Sequence, residues 1–146
     1  MYTIGQVSKM FNIPISTLRY YDKEGLFPRM QRTSGIRNFT DNELETLRVI
    51  DCLKKSGLEI KEIKQFMEWC SIGPSTYNER HELFIKQRET VEAEIEHLKK
   101  TLDMIKYKCW FYEQLLNNTQ EDQLRSIIPD GLPEDIKACY NHAHED

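Results

Sequence analysis

An all-α-dominated chain is the fold class this sequence predicts: a small winged helix-turn-helix head, a long coiled-coil helix and a short helical tail. Three observations predict it. Two short apolar stripes of helical period meet across a tight break at Asn12 to Pro14. A Thr-x-x-Glu signal at Thr40 and Glu43 opens a third stripe. From Tyr77 to Leu116 apolar residues recur every seven positions. The 146 residues fit one ordinary domain. A head of about 70 residues buries only a modest core, so the remainder is expected to contribute through association.

Ile4, Val7 and Met10-Phe11 give the first helix its apolar side, with Thr3 as N-cap. Asn12 ends it, because Asn tolerates the left-handed conformation of a tight turn. Pro14 is expected in the first turn of the next helix, where its missing N–H costs nothing. That second helix runs through Ile15, Leu18 and Tyr21 to Gly25, and Tyr21 continues the Leu18 stripe into the core. Its other face carries Ser16, Thr17, Arg19, Tyr20 and Lys23, side chains able to donate to phosphate oxygens or base edges. The polar loop from Arg29 to Arg37 holds Ser34-Gly35 as a hairpin turn and reads as a short wing. A third helix buries Leu44, Leu47, Ile50 and Leu53 before Gly57, and a fourth, from Ile60 to about Trp69, buries Ile63 and Phe66. The pattern breaks at Ser71-Ile72-Gly73-Pro74-Ser75. The expected organisation is therefore a head over 1–70, a linker over 71–76, a long helix over 77–118 and a tail over 119–146.

The long helix carries one seam of Phe84, Val91, Leu98, Ile105 and Tyr112, and an interleaved seam of Ile95, Leu102, Cys109 and Leu116, with Arg88 as the polar exception. A lone helix cannot bury such a seam. The chain offers no second helix of matching length, so a second copy in a two-fold homodimer is expected. In the tail, Leu124, Ile127 and Ile128 are expected to face inward on one short helix, and Ile136 and Tyr140 on another begun by Pro133. Both are expected to pack against the partner's head. Asn141 to Asp146 reads as a frayed polar end.

Charge is sorted along the chain. Residues 1–40 hold six basic residues (Lys9, Arg19, Lys23, Arg29, Arg32, Arg37) against Asp22 and Glu24, a local +4 in a chain whose net charge is −4. Phosphate binding needs a local positive face, so an acidic whole is no objection. No apolar run approaches the ~18 residues of a membrane helix, and a cytoplasmic protein without membrane contact is expected. Cys52, Cys70, Cys109 and Cys139 form no Cys-x-x-Cys pair and are expected to be reduced thiols. The four histidines sit in no catalytic constellation, which argues against an enzyme.

These residues carry a family resemblance. Thr3-Ile4-Gly5-Gln6-Val7-Ser8, Leu18-Arg19-Tyr20-Tyr21-Asp22, Gly25-Leu26, Gly35-Ile36-Arg37-Asn38-Phe39-Thr40 and Gly57-Leu58-Glu59-Ile60-Lys61-Glu62-Ile63, in order from Tyr2 to about Trp69, together resemble the MerR family of bacterial transcription regulators. The chain departs from the family at Phe39, where a tyrosine that reaches a phosphate is usual, and at Asn12, where glycine is common. The resemblance implies an antiparallel coiled-coil dimer on a roughly palindromic promoter with an overlong spacer. Bending and untwisting that spacer lets bacterial RNA polymerase engage both promoter elements. It also implies DNA contacts from Ser16, Thr17, Arg19 and Tyr20 on the second helix, from Arg37 on the wing and from Lys54 on the third helix, with Arg29 and Arg32 as weaker candidates because charged loop residues are more often merely solvated.

The signal to be sensed is less legible. Arg48 and Lys55 flank Cys52 at helical spacing and would favour a thiolate. Val49, Leu53 and the nearby helix C-terminus argue instead for a small buried packing residue. Asp51-Cys52-Leu53-Lys54, Cys70-Ser71-Ile72-Gly73 followed by Arg80, and Lys106 to Tyr112 resemble the AdhR- and NmlR-like branch of the family. That branch implies Cys52 as the sensor of reactive aldehydes, nitrosating agents or other electrophiles. Cys70 is the second candidate for oxidation, and Cys109 reads as a seam residue. Metal-sensing relatives carry two cysteines just after the long helix, where this chain has none, and Cys139, His142 and His144 form only a thin ligand set. No metal or cofactor is expected. The alternatives are a small hydrophobic effector held near Trp110, Phe111 and Tyr112, a metal signal, and a coiled-coil adaptor that does not bind DNA.

Overall fold

Three of the four short helices of the head open on a side chain that accepts their first free N–H groups. The computed structural model describes all residues from Met1 to Asp146, in two units: Met1–Gln87 and Arg88–Asp146. In the first, α1 (Ile4–Phe11) is capped by Thr3, whose hydroxyl accepts from the Gln6 N–H at 3.2 Å while the Gln6 side chain accepts from the Thr3 N–H at 2.9 Å. Asn12 closes it in the left-handed region, at φ 53°. The second helix, α2 (Ile15–Lys23), starts one residue later than the sequence suggests. Pro14 is its N-cap, with extended ψ of 143° and a carbonyl that accepts from the Thr17 and Leu18 N–H groups.

Strands β1 (Gln31–Thr33) and β2 (Ile36–Asn38) pair antiparallel with Arg32 opposite Arg37. Ser34 and Gly35 both have positive φ, 52° and 79°, which is the turn that matches the twist of a two-residue hairpin. Tyr2 and Phe39 exchange backbone hydrogen bonds, tying the wing's base to the N-terminus. The third helix, α3 (Asp41–Lys55), opens on the reciprocal Thr40–Glu43 box, and α4 (Ile60–Ile72) follows. Val7, Leu18, Phe39, Leu47, Ile50 and Ile63 are fully buried together, each burial worth about 1.5–3 kcal/mol. Phe39 keeps its packing, edge-on to Phe27 at 5.7 Å. Phe66 is only partly buried against this core.

The expected linker over 71–76 is shorter than the sequence suggests. Ser71 and Ile72 remain helical, Gly73 turns the chain at φ 108°, and a 3-10 turn, Pro74–Thr76, leads directly into α5 (Tyr77–Leu116). The reason is Arg80. Its guanidinium donates to the carbonyls of Trp69 at 3.0 Å and Gly73 at 2.8 Å and to the Thr76 hydroxyl at 3.0 Å, adding to the bonds those carbonyls accept from the Gly73 and Thr76 N–H groups. The head unit likewise extends beyond residue 70 to Gln87, because Leu83 joins its core, Phe84 meets Phe66 edge-on at 5.3 Å and the Gln87 amide donates to the Ser56 carbonyl.

In the second unit, α6 (Glu121–Ser126) and α7 (Glu134–Ala143) fold against their own α5. Tyr107, Phe111, Leu124 and Leu132 are buried, with Met104, Trp110, Ile128, Ile136 and Tyr140 packed around them. The tail thus has a docking surface on its own helix, which the sequence reading did not foresee. Positions 104, 107 and 111 form a second apolar stripe on α5, on a different face from the seam. Ile127 stays exposed as the C-cap of α6 and does not face inward. The C-terminus is not frayed at His142, whose ring nitrogens meet Asp103 and, at 2.9 Å, Glu96. Along the seam Ile95, Leu98, Leu102, Ile105, Cys109, Tyr112 and Leu116 are exposed, from 47% at Ile95 to 82% at Leu116, while Val91 is half-buried.

Candidate nucleic-acid interface

Burial of Leu18 and Tyr21 fixes the rotation of α2. Ser16, Arg19 and Tyr20 are consequently exposed on the opposite side, Tyr20 at 47%, and Thr17 is half-buried. Burial raises the Tyr21 phenol above its usual value, with the Asp51 and Tyr20 charges adding to it, so Tyr21 stays neutral as a core residue.

The wing is bound to this helix through Asp22. Its carboxylate, 9% exposed, accepts from Arg37 Nε at 2.7 Å and from Arg32. Arg32, a weaker candidate from sequence, is thus paired with Asp22 while its side chain stays half exposed. The short hairpin returns over the end of α2, where the one acid in reach collects both arginines. Arg37 is a quarter exposed, so one edge of its guanidinium holds the wing while the other remains at the surface. The arrangement sets Arg37 against α2, whose exposed side carries Arg19 and Tyr20, with Ile36 exposed near the wing's tip. Lys54 stands exposed in the last turn of α3 and makes no contact with that group. Sequence reasoning missed Asp22. The available signal was an acid one turn beyond Leu18, on the recognition segment of an otherwise basic head.

Cys52 is exposed, which corrects the alternative of a buried packing residue. The two flanking cations are not equally available to it. Arg48 pairs with Glu45 and lies 5.9 Å from the Phe11 ring centre. Lys55 bonds Asp51 at 2.9 Å, and that hydrogen bond is the main reason its ammonium is held protonated above the usual lysine range, with Cys52 a smaller contributor. Cys70 and Cys109 are exposed. Cys139 is half-buried, and burial followed by the Asp103 carboxylate pushes its thiol up. Cys139, His142 and His144 do not converge as ligands. Both His142 nitrogens meet carboxylates, and His144 stacks on Tyr140 at 4.1 Å. No helix is long and apolar enough to cross a membrane.

Comparison with known proteins bears on this geometry. Residues 2–69 match the family of MerR HTH family regulatory proteins. An HTH-type transcriptional regulator of Haemophilus influenzae is 42% identical over 114 residues, covering 77% of this chain and 84% of the relative. The regulator AdhR of Bacillus subtilis is 31% identical over 87 residues, 59% of this chain and 62% of AdhR. Among solved structures, HiNmlR, a MerR family regulator lacking the sensor domain and bound to promoter DNA, superposes with a TM-score of 0.65 at 42% identity, covering 77% of this chain and 90% of that one. A MerR family regulator from Bacillus thuringiensis gives 0.60 at 45% identity, covering 74% and 96%. A basic, wing-braced helix-turn-helix and these similarities together place the chain in the MerR family of DNA-binding transcriptional regulators, a non-enzymatic family, on its AdhR- and NmlR-like branch.

Proposed function

We propose that the chain acts as a homodimer on a roughly palindromic promoter, that it distorts an overlong spacer for RNA polymerase, and that an electrophile controls it through Cys52. The observation that carries this reading is the pairing of two uncovered surfaces in one chain. One is the Arg19–Tyr20–Arg37 face braced by Asp22, and the other is the apolar seam of α5. The first suits DNA and the second suits a copy of itself. Ser16, Thr17 and Lys54 add donors to the DNA contact, and the antiparallel helix pair sets the spacing of half-sites.

Cys52 sits on α3, whose other side carries Leu47, Ile50 and Leu53 of the head core. Its thiol is open to solvent. Adding the S–H across an aldehyde C=O forms a C–S bond, breaks the carbonyl π bond and leaves the proton on oxygen, giving a hemithioacetal without an oxidant. The enlarged side chain alters how α3 seats against whatever covers it in the dimer. The test is promoter-driven transcription in vitro with wild-type and Cys52→Ser protein, with and without a short reactive aldehyde. The expected result is a response from wild-type alone, with equal DNA binding by both. An equal response from both proteins would move the sensor away from Cys52. Steep loss of operator binding with rising salt separates this reading from a coiled-coil adaptor.

A further inference from the structure

Between α5, α6 and α7 lies a recess of about 340 Å³, whose walls include Tyr107, Lys108, Arg125, Ile128, Tyr140 and His144. Its volume falls within the range of small-molecule sites, roughly 300–1,000 Å³. Its lining has a distinct chemistry. Tyr107 and Tyr140 meet edge to face at 5.0 Å, and the His144 ring stacks on Tyr140, held by its Nδ1 against the Tyr140 carbonyl at 2.7 Å. These rings and Ile128 supply an aromatic and apolar part of a wall whose remaining surface is polar. Burial keeps the Tyr107 phenol protonated, so it serves as a donor.

The full charges in this wall are both positive, in a chain whose net charge is −4. The Lys108 ammonium lies 5.6 Å from the Tyr107 ring centre and has no carboxylate partner. Arg125 bonds Glu121 through Nε at 3.2 Å and Nη2 at 2.9 Å, leaving Nη1 free. We propose that this recess binds a small aromatic carboxylate, its ring against Tyr107, Tyr140 and His144 and its carboxylate between Lys108 and Arg125. A cationic amine of the same size meets the unpaired Lys108 ammonium there, Glu121 already compensating Arg125, and acetate has no ring to lie against the aromatic part of the wall. Because α5, α6 and α7 each supply part of the wall, occupancy favours the docked tail. This is an input separate from Cys52 and is measured without DNA or aldehyde, so it stands or falls apart from the proposed function.

Trp69 and Trp110 are the two tryptophans, and Trp110 packs on the cluster beside the recess. Full-length Trp69→Phe protein therefore reports on this unit by fluorescence. Titration with benzoate is expected to give a saturable change, with benzylamine and acetate at least about tenfold weaker. Hydrogen exchange of the α7 amides is expected to slow with benzoate. Lys108→Gln, at an exposed position, is expected to weaken benzoate several-fold, and Lys108→Gln with Arg125→Gln about tenfold or more, each with an unchanged helical circular dichroism signal. No saturable response at millimolar benzoate overturns the proposal. So does equal affinity for benzylamine, or unchanged benzoate affinity in the correctly folded Lys108→Gln protein.

Discussion

Asp22 faces two arginines of the wing with a nearly buried carboxylate, so losing it affects both stability and recognition. In Asp22→Ala, Arg32 and Arg37 lose their shared acceptor and the hairpin is tied only through Tyr2 and Phe39. The expected cost is about 1–3 kcal/mol in a denaturant titration. Operator affinity is expected to fall despite the added positive net charge; a rise in affinity would mean that charge outweighs wing position. Arg19→Ala, which removes a donor without touching the brace, should weaken DNA binding with no change in stability. A second prediction concerns the thiols. Cys139 is half-buried beside Asp103 and its thiol is pushed up, whereas Cys52 is open to solvent. A short pulse of N-ethylmaleimide read by peptide mass spectrometry should label Cys52 well before Cys139. Arg19 and Tyr20 were legible from the chain, because the Leu18–Tyr21 stripe fixes which side of α2 faces out. The Asp22 brace was not. Its partners lie 10 and 15 residues away, and only the hairpin's return brings them to it.

The elements announced themselves where a local rule sufficed. Thr3 as N-cap, Thr40 with Glu43, and Ser34-Gly35 form the caps and the turn that the sequence implies, and Gln6 completes the first cap. What the pattern lacked was tertiary closure. Arg80 extends order across the expected linker, and a second stripe on α5 draws the tail back onto its own helix. His142 fixes that tail, and its interaction sets a pH dependence. Hydrogen bonds to Asp103 and then Glu96 raise His142 above its ordinary 6.5, while His142 is the leading cause that lowers both carboxylates. The histidine's contribution is complete below 6.5 and is lost as pH rises through its raised folded value. The carboxylates contribute fully above their ordinary values of 3.8 and 4.5 and lose this as pH falls through their lowered ones. Tail docking should therefore be firmest between about pH 4.5 and 6.5 and loosen toward alkaline pH. Hydrogen exchange of the α7 amides across this range tests it. His142→Gln should flatten the dependence, and an unchanged profile in that variant would place the titrating group elsewhere.

At the scale of the whole molecule, the heptad was legible in sequence, but a single chain leaves it unused. Leu98 is 64% exposed and Ile105 53%, while the tail covers the other apolar stripe of the same helix. The tail leaves the seam uncovered, and the proposed homodimer supplies a second copy with a matching seven-residue repeat. Replacing Leu98 and Ile105 by Glu puts like charges in that seam without touching the head core or the Tyr107–Phe111 cluster. By light scattering the variant is expected to have the mass of one chain, with the head's melting retained. Operator binding should then fall far more than the loss of one head's contacts, because the second head no longer arrives at high effective concentration; about 10²–10⁴-fold is the usual scale. The steepness of the salt dependence should fall by about half, since one head meets half the phosphates. Cys109, on the same seam, supplies an independent reading: in wild-type protein its alkylation should slow as concentration rises into the dimer range, and in the double-Glu variant it should not. A variant that keeps twice the chain mass, or a Cys109 equally reactive at all concentrations, would show that these chains associate through a different face.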